Sequence, residues 1–311
     1  MSKAFDSSRR FYDAYVAEMI KDKFSQYEDR IAVGIAGEGS DCFGYDDFMS
    51  RDHDFGTGVC LWLDDDDMKE FGNELSESYN MLVKESTDTV LTARLSERRG
   101  VMTIHDYYSN ILGVDCDVKC GILSEEKWLS FDHACLATAV NGEVFRDDKG
   151  IFTSFRELLL DYYPENVWRI RIAGELHKFS AALQVNYARC MTRDDVVAAR
   201  LCQMQGLEAA MELFFLMNRC FAPYYKWTYR RLCELDIEGR YASLIRELSD
   251  APCDRAAWKG KRYSANYINM GDTVIVIAEQ LAKAVVRMMK EHNLIGRDDP
   301  YLELYVNEVL D

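Results

Sequence analysis

The chain has 311 residues, 48% of them apolar, which is enough for one large domain or two modest ones with a sizeable core. Its 37 Lys and Arg stand against 53 Asp and Glu, a net charge of −16 that makes nucleic acid an unexpected partner, because affinity for a phosphate backbone rests on Lys and Arg; a local basic pocket stays open. No apolar run reaches membrane-spanning length, since 207–225 is broken by Glu208, Glu212, Asn218 and Arg219, and the N-terminus lacks a signal-peptide core; no membrane association and a cytoplasmic location are expected.

Phe5, Phe11, Tyr15, Met19, Ile20 and Phe24 recur at helical spacing, so 4–27 reads as an amphipathic helix. A short apolar strand over 31–36 runs into the turn Gly37-Glu38-Gly39-Ser40. A second strand is expected over 55–63, and Arg51-Asp52-His53-Asp54 stands at its start. Successive strand side chains point to opposite faces, so Asp52 and Asp54 share a face about 6.5–7 Å apart and His53 points away. Two carboxylates so close are costly without a cation. Mg²⁺ suits them, being held by one or two carboxylates together with substrate phosphates. The Gly-Ser turn offers close backbone approach, N–H donors and a hydroxyl for a polyphosphate. These parts read as a metal-dependent nucleotide site. The glycines match neither a P-loop nor a dinucleotide fingerprint.

The acidic run 64–67 is read as the capped start of a helix reaching 79. A third strand is expected over 100–104, then a helix over 105–112. From Phe131 onward the chain reads helical: 153–162, a long helix to 191 with Pro164 in its first turn, another from Arg193-Asp194-Asp195 to about 220, then 224–235, 240–248 and 273–291. Ten scattered cysteines include no Cys-x-x-Cys pair. They read as reduced, mostly buried thiols rather than a zinc site, although Cys116, Cys120 and His133 offer partial ligand spacing.

Gly39-Ser40, eleven further residues and then Asp52-His53-Asp54 resemble the Gly-Ser…Asp-x-Asp signature of the DNA polymerase β-like nucleotidyltransferases. The string from Gly37 to Asp54 is similar to a bacterial subfamily in which this domain precedes a helical domain of unknown function. Asn141-Gly142-Glu143-Val144-Phe145-Arg146-Asp147-Asp148, Tyr163-Pro164-Glu165-Asn166-Val167-Trp168, Gln184-Val185-Asn186-Tyr187-Ala188-Arg189 and Ala222-Pro223-Tyr224-Tyr225-Lys226-Trp227 resemble motifs of that helical domain. The resemblance implies an α+β chain: a small mixed-sheet nucleotidyltransferase domain over 1–122 and an all-α domain over 123–311.

It also implies Asp52 and Asp54 as catalytic, metal-holding residues for Mg²⁺ or Mn²⁺, with Gly39 and Ser40 on the nucleotide. Many members carry a third carboxylate on a neighbouring strand. Asp106 is the first choice here, ahead of the pair Asp115 and Asp117. Lys226, a cation among aromatics, reads as a phosphate ligand or as a stem packed on Trp227. Tyr187, three residues from Gln184 on one helix, reads as a nucleotide contact or as packing. The expected activity is transfer of a nucleoside monophosphate from an NTP to a small-molecule or protein acceptor. The alternative is a degenerate, nucleotide-binding sensor or antitoxin-like interaction protein; tailing of RNA would need a local basic groove.

Overall fold

In the computed structural model, which describes residues 3–45, 57–87, 98–264 and 268–311, two compact units divide the chain at Tyr162 and Tyr163. The first unit is organised by four short strands, β1 (Ala32–Ile35), β2 (Cys60–Leu63), β3 (Gly100–Thr103) and β4 (Glu143–Arg146), in the order β3-β2-β1-β4. β1 pairs antiparallel with both β2 and β4, while β2 and β3 run parallel, so the sheet is mixed as expected. Both β1 and β2 are buried throughout. That explains why they read as unbroken apolar runs and not as alternating ones.

Helices α1 (Lys3–Phe11) and α2 (Ala17–Lys23), joined by the π turn Tyr12–Val16, form the expected first helix. With α3 (Asn73–Ser86) they pack Phe11, Val16, Ile20, Phe24, Leu75 and Tyr79 against Val33, Leu61 and Leu63. The opposite face holds aromatics: Trp62 stacks on Phe152 at 3.8 Å and meets Tyr107 edge-on at 5.5 Å. Tyr107 comes from α4 (Ile104–Leu112) and Phe152 from α5 (Ile151–Leu160). The 64–67 run does begin a helix, which continues beyond Tyr79 to Ser86. Its last carboxylate, Asp67, is buried and held by Arg30 at 2.8 Å and Lys149 at 3.3 Å.

One expectation needs correction. Residues from Phe131 onward are not all helical, because Glu143–Arg146 completes the sheet as its edge strand. Gly142 turns into it at φ +71°, where a Cβ would lie 1.9 Å from the carbonyl oxygen of Ile35. β4 and α5 therefore belong with the first unit, whose compact boundary falls later than 122/123.

The second unit, Tyr163–Asp311, is helical. Pro164 precedes α6 (Glu165–Phe179), which runs through the π turn Ser180–Asn186 into α7 (Tyr187–Thr192). The long α8 (Val196–Met217) starts from the Asp195 cap, whose carboxylate accepts from the Ala198 N–H at 3.0 Å. Gly206 lets α8 approach this rod closely: a Cβ there would fall 2.2 Å from Leu183. Helices α9 (Tyr225–Leu235), α10 (Arg240–Asp250) and α11 (Thr273–Glu291) follow. Asp272, fully buried, caps α11 through the N–H groups of Val274 and Ile275 and also accepts from Trp258 Nε1 at 2.6 Å and the Tyr187 hydroxyl at 3.1 Å. Among the described residues no helix is long and apolar enough to cross a membrane.

Candidate functional site

The strand pairings decide which residues meet. Gly34 is opposite Cys60 and Ile35 is opposite Glu143, while Cys60 is opposite Gly100. The end of β1 and the starts of β2, β3 and β4 therefore share one end of the sheet. The Gly37–Ser40 turn leaves β1 there, and the chain that has passed Asp52 and Asp54 enters β2 there. Asp52 and Asp54 themselves lie outside the described residues.

This end is built to hold the turn in one shape. Gly37 has φ +100° and Gly39 φ +121°, both in the region that favours glycine. The Asn141 side chain grips Gly37 at two points: Oδ1 accepts from its N–H at 2.8 Å and Nδ2 donates to its carbonyl at 2.8 Å. Behind the turn, buried Arg99 donates to Asp41 Oδ2 at 2.7 Å and Cys42 Sγ at 3.0 Å, which fixes the short 3-10 turn Asp41–Phe43 that follows Ser40. Burial pushes the Cys42 thiol far up, so it stays protonated beside that guanidinium. The start of β2 is fixed in a similar way. Buried Tyr79 accepts from the Val59 N–H at 2.8 Å and donates to the Val59 carbonyl at 3.0 Å, and Thr57 meets Ser7 at 3.1 Å. Gly39 and Ser40 remain half-exposed on this frame.

Gly39 leaves no room for a side chain, since a Cβ would sit 2.2 Å from Asp41 Oδ1 in addition to the backbone constraint. Gly39→Val is therefore expected to deform the turn and weaken NTP binding at least tenfold, about 1.4 kcal/mol. Isothermal calorimetry giving an unchanged affinity would show that the turn does not hold the nucleotide.

Asp106 is placed differently from the sequence expectation. β3 runs parallel to β2, so its C-terminal end, which Asp106 follows, is the end of the sheet opposite the Gly37–Ser40 turn. Four-residue strands separate the two ends by about 10 Å. The Asp106 backbone N–H bonds to the capping Thr103 hydroxyl at 2.8 Å. Its carboxylate lies 3.5 Å from His105 Nδ1, whose Nε2 meets Asp115 at 2.8 Å. The bond to Asp115 is the main cause that raises the His105 pKa. His105 and Asp115, with Asp64, Asp117 and Lys119, border a cleft of about 270 Å³. Lys119 and Asp64 pair across it at 2.7 Å. Among the described residues, Glu38, Asp41 and Glu143 lie at the turn's end, and each is paired with an arginine: Arg98, Arg99 and Arg9.

In the second unit, Tyr187 is fully buried and its hydroxyl is committed to Asp272, which is the packing alternative. Gln184 likewise bonds the Pro300 carbonyl and the Leu302 N–H. Lys226 is exposed, with Nζ 5.2 Å from the centroid of the Trp227 ring. Cys42, Cys60 and Cys116 are buried, Cys120 and Cys233 exposed, and all ten thiols free. Asn141, Arg99 and Tyr79, which shape the turn and the start of β2, were not among the residues expected from sequence. Of the three, only Asn141 lies in a motif that carries the family resemblance.

A family model described as a domain of unknown function (DUF4037) matches residues 128–228, from the last helices of the first unit into the α9 region. No curated protein and no solved structure matches the chain.

Proposed function

We propose that the protein is a Mg²⁺-dependent nucleotidyltransferase, moving a nucleoside monophosphate from an NTP to a small-molecule or protein acceptor with release of pyrophosphate. The observation that carries this reading is the antiparallel β1–β2 pairing, which brings the Gly37–Ser40 turn and the start of β2 to one end of the sheet. A Gly-Ser turn clamped by Asn141 and backed by Arg99 is a preorganised polyphosphate cradle, needing no reordering when a ligand arrives. The Ser40 hydroxyl and the turn's backbone N–H groups would orient the phosphates, and Gly39 keeps their approach open.

The described carboxylates do not make a metal site by themselves. No group of three or more His, Cys, Asp or Glu among the described residues is placed to hold an ion, and those beside the turn are paired with arginines. The metal in this proposal therefore rests on Asp52 and Asp54. The placement of Asp106 favours a second reading, in which the turn binds a nucleotide without turning it over, since β3 itself carries no carboxylate.

One experiment separates the two readings. The protein is incubated with each radiolabelled NTP, Mg²⁺ or Mn²⁺ and a metabolite extract, alongside Asp52→Ala and Asp54→Ala. Label transferred to a new product by the wild type, and lost in both variants with unchanged thermal stability, supports the enzyme. Removing one of two repelling carboxylates is not expected to lower stability. Full transfer by either variant would reject the metal assignment. Tight NTP binding without any transfer would support the binding-only reading.

A further inference from the structure

The net charge of −16 is not spread over the chain. The first unit carries 17 Lys and Arg against 33 Asp and Glu, whereas the second carries 20 of each and is neutral. Within that neutral unit, cations gather on one face. The end of α7 and its following turn contribute Arg189 and Arg193, and the loop after the short helix Arg255–Trp258 contributes Lys259, Lys261 and Arg262; all five are exposed. The two segments are held together by the Arg255–Asp194 pair at 2.9 Å and by Arg189, whose guanidinium lies 5.0 Å from the centroid of the Tyr263 ring.

The face is anchored from beneath. Trp258, just ahead of the basic loop, is pinned to buried Asp272, and buried Asn269 donates to the Ala257 carbonyl at 3.0 Å. The nearby acids are committed locally: Asp194 to Arg255, Asp195 to the N-terminus of α8, and Asp254 to the Ala256 N–H at 2.8 Å. Among the described residues Arg193, Lys259 and Arg262 make no ion pair. Three unneutralised cations beside an exposed aromatic ring match a chain of phosphates carrying stackable bases. An acidic polypeptide would use the charges but not the ring.

We propose that this face of the helical unit binds single-stranded nucleic acid through Arg193, Lys259, Lys261 and Arg262, with Tyr263 stacking on a base. Contact with three or four phosphates gives a shallow salt dependence, a slope of about −2 to −3 in log affinity against log salt. Because the contacts are between cations and phosphates, binding is strongest at low salt.

The test uses the full chain and fluorescein-labelled oligo-uridylate and oligo-deoxyuridylate of about twelve nucleotides, followed by anisotropy at about 50 mM salt. Binding of either strand is expected, and the stronger one identifies whether the 2′-hydroxyl contributes. Lys259→Glu with Arg262→Glu should weaken binding at least tenfold, and Tyr263→Ala about tenfold. Lys178→Glu, an exposed cation paired with Glu175 elsewhere on the unit, should leave binding unchanged. Thermal melts confirm that each variant is folded. Absence of binding, equal binding by the double variant, or displacement by polyglutamate as effective as by unlabelled strand would each overturn the proposal.

Discussion

Replacing Asp272 with alanine is expected to destabilise the helical unit by about 3–5 kcal/mol, the combined cost of two buried donors left without an acceptor and a lost helix cap. The carboxylate is fully buried and serves four donors: the N–H groups of Val274 and Ile275, the Trp258 indole and the Tyr187 hydroxyl. Alanine would leave the indole and the hydroxyl buried without an acceptor, and an unsatisfied buried group costs about 1–3 kcal/mol. It would also uncap α11, a helix of 19 residues. Urea unfolding followed by circular dichroism should show a midpoint lowered by about 1–3 M. Tyr187→Phe, which removes one donor and keeps the ring, should cost far less, near 1 kcal/mol. If Asp272→Ala unfolds like the wild type, the four bonds do not hold the unit together. If Tyr187→Phe instead abolishes NTP binding at unchanged stability, Tyr187 is a nucleotide residue after all.

The sequence signals that worked were local ones. Periodicity marked the first helix, the apolar runs marked β1 and β2, and α11 appears with the expected limits of 273–291. β4 was missed because it is short and half-buried on all four residues, with neither an apolar run nor clean alternation, and its partner β1 lies more than a hundred positions away. Asp106 was placed beside the proposed site because it follows a strand. Which end of the sheet that is depends on β3 running parallel to β2, and periodicity says nothing about strand direction. The capping role of Asp272 was legible in principle, since an Asp directly before an apolar helix is a start signal. Its bonds to Tyr187 and Trp258 were not, because they join segments far apart in sequence. Net charge is a sum over the chain, and it does not show that one unit is acidic and the other neutral. Asp52 and Asp54 remain a reading of the sequence, and what the fold adds is the end of the sheet at which β2 begins.

Asn141 provides the sharpest test of the turn. Asn141→Asp keeps the shape and the acceptor that receives the Gly37 N–H, but loses the donor to the Gly37 carbonyl and introduces a negative charge beside the proposed polyphosphate. If the turn cradles phosphates, this substitution should weaken NTP binding at least tenfold. Asn141→Ala removes both bonds, at about 0.5–1.5 kcal/mol each, and frees a backbone whose glycine conformations are costly to order. Its affinity loss should be smaller than that of the aspartate variant, because no negative charge is added beside the phosphates. A purely structural Asn141 predicts instead that affinity follows stability in both variants. Raising salt should recover part of the aspartate defect by screening its charge, and should leave the alanine defect in place. Equal NTP affinity in all three proteins would mean that the turn binds no nucleotide, and the family resemblance of Gly39-Ser40 would then be one of shape without the chemistry.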